Sequence, residues 1–257
     1  MKLPILIFAA ASALYAQFPP GVPAPPAPGK SGAPIDLTGY WVAYVTEDWR
    51  WRMVTPLKGD AASVPTNAEA RKVINAWDPA KDEAAGLQCK AYGAPAIMRV
   101  PGRLHITWQD DLTLKIETDA GQQTRLLHFA GQPPRDAAPS WQGYSAAKWE
   151  GPEPAAIPPI VFGLGLAPRL NARSRSLQVT TTELRAGYLR KNGVPYSDKT
   201  VLKEYYDLFR EPNADTWFMV TTIVDDPTYL AVPFVTTSHF KKIADASGWD
   251  PEPCTAR

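Results

Sequence analysis

The chain has 257 residues, of which 45% are hydrophobic and nine are tryptophan, with 27 Lys plus Arg against 26 Asp plus Glu. That apolar content excludes a disordered body and suffices for one sizeable core, and the length fits one β-rich domain better than two small ones. A formal net charge of +1 provides no excess positive field for a phosphate backbone, so no nucleic acid partner is expected.

Met1 and Lys2 open the chain, followed by an apolar run from Leu3 to Tyr15 that ends in the small residue Ala16. This is the pattern of a secretory signal peptide over residues 1–16, cleaved after Ala16. The run is too short for a membrane span of about 20 residues. No cysteine follows it, so no stable membrane anchor is expected and the mature chain is placed in the periplasm or outside the cell. Residues 17–34 carry prolines at 19, 20, 23, 25, 26, 28 and 34. Such a stretch has no periodic apolar face to pack and reads as an extended linker that contributes nothing to the fold.

A single β domain is expected over residues 35–257. Alternation from Tyr40 to Thr46 predicts a first strand, and Pro65 to Trp77 reads as one short helix capped by Thr66 or Asn67 and stopped by Pro79. Strand patterns then dominate: 103–109, 113–119, 124–130, 176–182, 201–210, 217–225 and 234–242. Turn residues such as Ala120-Gly121 and Pro212-Asn213 separate several of them. The fold class is therefore all-β, an antiparallel barrel or a sandwich. Residues 151–175, rich in Pro, Gly and Ala, read as a long surface loop. Cys89 and Cys254 are the only cysteines, and in an exported chain the expectation is that they pair.

Several motifs occur in order: Cys89, Gly93 and Met98-Arg99; Pro139-Ser140-Trp141-Gln142-Gly143-Tyr144-Ser145; Trp149-Glu150-Gly151. Further on come Gly193-Val194-Pro195-Tyr196-Ser197-Asp198, Glu204-Tyr205-Tyr206 and Thr221 to Pro227. The stretch from Cys89 to about Lys242 thereby resembles a family of exported bacterial proteins of uncharacterised function. The resemblance implies export and an all-β body, and it carries over no catalytic residue. Leu37-Thr38-Gly39-Tyr40-Trp41 separately resembles the Gly-x-Trp start of lipocalin-like barrels, which implies a tryptophan closing the barrel's base.

The three histidines, His105, His128 and His239, all fall in strand patterns. Converging imidazoles can hold zinc, but spacings of 23 and 111 residues match no local ligand motif, so neither a metal nor another cofactor is expected. Glu204 shares a face with Tyr206, Leu202 and Leu208, while the opposite face carries Val201, Tyr205 and Phe209, so parity leaves its direction open. Pointing inward, it would meet the burial that raises a carboxyl's pKa. Together, His105, His128, His239, Glu204 and Tyr206 are the candidate catalytic or binding residues, expected to line one polar site inside an aromatic barrel. Glu117 and Arg125 are expected to form a cross-strand ion pair on the solvated face. In Trp49-Arg50-Trp51-Arg52-Met53, alternation would send the apolar side chains into a core and the arginines to water. The same residues can stack a planar ligand against guanidinium groups. Asp225-Asp226-Pro227 is a turn signature before it is a carboxylate pair.

The aromatic content, 11%, favours a soluble exported barrel whose interior binds a small, largely apolar or aromatic molecule. The alternative is a cofactor-independent lyase, isomerase or hydrolase using those His, Glu and Tyr side chains for proton transfer. An envelope interaction module, which would need an exposed apolar patch, ranks third.

Overall fold

The computed structural model describes residues 27–133, 138–150 and 176–257. Residues 1–16, expected to form a signal peptide, residues 17–26 of the proline-rich stretch and the 151–175 segment expected to be a long loop lie outside the described residues. The strands are β1 (Gly39–Tyr44), β2 (Arg103–Asp110), β3 (Thr113–Thr118), β4 (Thr124–His128), β5 (Tyr144–Trp149) and β6 (Leu177–Thr182), followed by β7 (Gly187–Arg190), β8 (Val194–Tyr196), β9 (Val201–Arg210), β10 (Thr216–Asp225) and β11 (Phe234–Ile243). Among the described residues, nine of them close into a barrel in the order β1-β11-β10-β9-β6-β5-β4-β3-β2, with β7 and β8 as a separate hairpin. An all-β barrel is the fold that the strand patterns predict.

Neighbouring barrel strands are antiparallel except β4 and β5, which run parallel with Leu127 opposite Ser145. β5 therefore starts at the end of the barrel where β4 began. Alternation sets the inner face. In β9 the buried residues are Leu202, Glu204 and Tyr206, and in β10 they are Phe218, Val220, Thr222 and Val224. The centre of the barrel holds Trp41, Phe218 and Phe240, with ring centroids 4.7 Å apart in both the Trp41–Phe218 and Phe218–Phe240 contacts. Trp41 donates its indole N–H to the Leu37 carbonyl at 2.8 Å, which ties the entering chain to the core it plugs.

Strands β1, β3, β6 and β10 finish at the same end of the barrel where β2, β4, β5, β9 and β11 begin. That end is capped by the β1–β2 connection, which contains α1 (Trp49–Arg52), α2 (Ala68–Ala76), α3 (Pro79–Ala84) and α4 (Ala94–Ile97). Asn67 caps α2 as expected, its Oδ1 accepting the Ala70 N–H at 3.0 Å. α2 ends at Ala76, ahead of Pro79, which itself opens α3, where its missing N–H costs nothing. Ala70 and Ile74 of α2 pack with Leu189, Val194 and Tyr196 of the β7–β8 hairpin in a second core above the barrel. Gly193 turns that hairpin at φ +82°, and a Cβ there would stand 2.2 Å from the Trp77 ring, so only glycine lets the turn lie on Trp77.

Cys89 and Cys254 are joined by a disulfide, 2.05 Å between sulfurs, as the two-cysteine count predicts. The C-terminal tail leaves β11 at the far end and runs back outside the barrel. Trp249 meets the edges of Tyr40 and His105, and the Glu252 N–H reaches the Asp119 carbonyl at 3.0 Å. The proline-rich stretch needs a correction at its C-terminal end. The Gly29 carbonyl accepts the Trp149 indole N–H at 2.8 Å, the Lys30 N–H donates to the Asp111 carbonyl at 2.9 Å, and Ala33 packs on the barrel core. A disulfide fits an exported protein, and among the described residues no helix is long and apolar enough to cross a membrane.

Candidate functional site

Inside the barrel, Arg125 and Glu204 are each 0% exposed and meet side by side, Nη1 to Oε1 at 3.0 Å and Nη2 to Oε2 at 2.6 Å. Burial presses the Arg125 pKa down, and the adjoining carboxylate more than reverses this, so the guanidinium stays charged. The Tyr206 hydroxyl donates to Glu204 Oε1 at 3.3 Å, and its pKa is pushed up, first by burial and then by that carboxylate. Thr181 Oγ1 lies 3.5 Å from Arg125 Nη2 and 2.8 Å from Ser145 Oγ. Glu204 does point inward, but it is not an isolated carboxyl awaiting a proton. It is half of a closed ion pair packed among aromatic rings. The inner face of the barrel, expected to bind the ligand, carries buried aromatic and aliphatic side chains around this pair.

Arg125 overturns the expected surface pair with Glu117. In the register of β3 and β4, Arg125 lies opposite Ile116 while Glu117 lies opposite Thr124, so the two charges point to opposite faces. Glu117 instead meets Lys115 at 2.9 Å and His105 Nδ1 at 3.3 Å on the outer wall.

The histidines do not share a site. All three alternate with buried residues and sit on the outer face: His105 beside Leu104 and Ile106, His128 beside Leu127, His239 beside Ser238 and Phe240. His105 lies opposite Tyr40 and His239 opposite Tyr44, four residues along β1, or about 13 Å at the rise of a strand. His128 is displaced from the level of His105 in the other direction, because His105 pairs with Glu117 and Glu117 with Thr124. His105 stacks on Tyr40 at 4.2 Å and His128 on Tyr144 at 4.9 Å. Burial lowers the His128 pKa, partly offset by Asp110. Among the described residues no group of three or more His, Cys, Asp or Glu can hold a metal ion. Asp226, of the tempting carboxylate pair, is a turn hub that accepts the Thr228 and Tyr229 N–H groups at 2.7 and 3.1 Å.

A concave site lies at the helix-capped end, a cavity of about 300 Å³ between α1, α4, the β7–β8 hairpin and the C-terminal tail. A shallower, larger hollow of about 670 Å³ lies between residues 30–38 and Thr107-Trp108, with one lysine and one aspartate in its lining. Four cations line the capped-end cavity, Arg52, Arg99, Arg190 and Lys191, against one carboxylate, Glu252. The chain builds it by turning sharply at Asp48, whose φ of +51° starts the single turn of α1. That turn reverses what strand alternation implies for residues 49–53: Arg52 is buried, while Trp49 and Met53 are exposed. Arg52 Nε donates to the Arg99 carbonyl at 2.9 Å, and Arg99 Nη2 reaches Asp48 at 2.7 Å. Arg190, from the end of β7, donates to the Ala62 carbonyl and Ser63 hydroxyl, both at 2.8 Å. Its guanidinium lies 5.0 Å from the Trp51 ring centre, and Lys191 lies 4.8 Å from that of Tyr92.

Two donors are left over. Arg52 Nη2 and Arg190 Nε are buried without a hydrogen-bond acceptor. Both side chains have pKa values pushed down to about 10, first by burial and then by repulsion from Arg99, with Glu47 and Asp48 opposing it for Arg52, and Asp48 and Asp60 for Arg190. A guanidinium this uncomfortable is stabilised by an anion that supplies both charge and acceptors. Gly121, at φ +75°, lets the β3–β4 turn form one wall, since a Cβ there would stand 2.3 Å from Tyr92 Cδ1. Pro253 and Thr255, beside the disulfide, form another.

Sequence reasoning missed Arg52, Arg99 and Arg190 as a group. The one signal was the Arg-aromatic run at 49–53, which also allows a stacked ligand. Comparison of the chain with protein-family models, with curated proteins and with solved structures finds no match.

Proposed function

We propose that the protein is an exported binder of a small anionic molecule carrying an apolar or aromatic part, held in the arginine-lined cavity at the capped end of the barrel. The observation that carries this reading is the cationic lining of the cavity, where Arg52, Arg99, Arg190 and Lys191 meet a single lining carboxylate, Glu252. Burial presses the Arg52 and Arg190 pKa values down, and a carboxylate, sulfate or phosphate in the cavity stabilises their charged forms. Met53, Val54 and Pro56 add apolar lining beside the charge.

This amends the expectation of a largely apolar ligand by giving it an acid group, and it moves the site from the barrel's interior to its end. The enzyme reading loses its motivation because the histidines stand apart and Glu204 is tied to Arg125. The disulfide supports periplasmic or secreted placement of the mature chain. Titration calorimetry with benzoate, benzamide and benzylamine tests the charge requirement. The reading predicts binding of benzoate alone, and equal binding of the neutral amide would contradict it.

A further inference from the structure

Residues 51–56 line the cavity, and the stretch 49–57 that contains them exposes four large apolar side chains: Trp49 at 67%, Met53 at 59%, Val54 at 70% and Leu57 at 76%. Burial at these positions would be favourable and most of it is unrealised, which makes the stretch a surface with a use rather than a stray hydrophobe. It is also held in place. The side chain of the fully buried Asn192 donates to the Leu57 carbonyl at 2.9 Å and to the Asp60 carbonyl at 2.8 Å, and Trp51 Nε1 donates to Asp60 at 3.1 Å. The backbone is pinned from below while the apolar groups project outward, so little ordering entropy remains to be lost when something covers them.

Met53 and Val54 belong to both features, lining the cavity and lying exposed at its edge. The cationic pocket and the apolar collar are therefore continuous. We infer that the occupant is a single anionic amphiphile, its acid head on Arg52 and Arg190 and its alkyl or aryl tail lying over Trp49, Met53, Val54 and Leu57. This rests on the anion-binding reading of the cavity and specifies the ligand class. Two quantities support it. A cavity of about 300 Å³ is at the small end for organic ligands, room for a head and a few carbons, so a longer tail must leave across Met53 and Val54. The lining charge favours an anionic head and disfavours a cationic one: Arg99 is paired with Asp48 at 2.7 Å and Arg52 with Glu47 at 3.5 Å, and Arg190 and Lys191 stand against Glu252 alone in the lining.

The test is a calorimetric series of linear carboxylates from butanoate to decanoate, below their micelle concentrations, on the oxidised full-length chain. Transfer of each methylene from water onto the collar should raise affinity roughly two- to fourfold until the collar is covered. In the Trp49→Ser/Leu57→Ser double variant, whose replaced side chains are exposed, the series should flatten. Val54→Ser supplies an independent check at the cavity's edge. Butanoate and decanoate binding equally would overturn the amphiphile inference while leaving the anion site standing, whereas no binding by any member would remove the anion site and the inference with it. Co-sedimentation with anionic phospholipid vesicles, without a chain-length effect in the free acids, would assign the collar to a bilayer and also overturn the inference.

Discussion

Arg125 on β4 and Glu204 on β9 face each other across the inside of the barrel in a two-point ion pair, both side chains wholly out of water. Removing one partner leaves a buried, uncompensated charge. Arg125→Gln or Glu204→Gln should each cost about 3–5 kcal/mol in denaturant unfolding, while the double change Arg125→Met/Glu204→Leu should recover most of the loss. If the single changes are neutral, the pair is not the internal tie described here.

The disulfide joins the helical cap to the tail that walls the cavity. By loop closure over 165 residues it is worth at most about 4–5 kcal/mol. Cys254→Ser should therefore lower stability, and it should also weaken anion binding, because Pro253 and Thr255 lose their anchor. Stability lost with affinity unchanged would separate the tail from the site.

Gly29 and Lys30 hydrogen-bond the barrel through main-chain groups, so deleting residues through Pro34 should lower Tm by several degrees. Such a deletion removes the acceptor of the Trp149 indole and the packing of Ala33. An unchanged melting temperature would show that these contacts contribute nothing.

The pH profile of binding follows from the two depressed arginines. Their folded pKa values, about 10, lie below the ordinary value, so the folded chain releases these protons first as pH rises. Below pH 9 both are charged and benzoate affinity should be flat. It should fall as pH rises through about 10, and the anion, by favouring the charged form, should raise both pKa values. Affinity that instead tracks a group near pH 6 to 7 would point to an imidazole and away from the arginines.

Much of the barrel was legible because alternation survives tertiary packing. Val201–Arg210 shows a clear two-residue period, and its predicted and observed bounds coincide. The four-residue α1 was not legible. Trp49 to Met53 alternates as well as any strand, and only the left-handed turn at Asp48 converts it into a helix that buries Arg52. Register defeated the rest. Glu117 and Arg125 have opposite parity across the hairpin, and a one-residue difference sends one charge to solvent and the other into the core. The histidines were correctly placed in strands, but which face a strand shows to the core depends on its neighbours. Arg52, Arg99 and Arg190 come from separate elements, and no local spacing links them.

The central claim is that Arg52 and Arg190 form an anion site, and the most direct measurement is benzoate titration of the wild-type chain beside Arg52→Gln, with near-ultraviolet circular dichroism showing that both are folded. Charge-assisted hydrogen bonds of about 1.5–3 kcal/mol predict an affinity loss of roughly ten- to hundredfold in the variant. Equal affinity in the two proteins, or no binding to the wild type, would contradict the account.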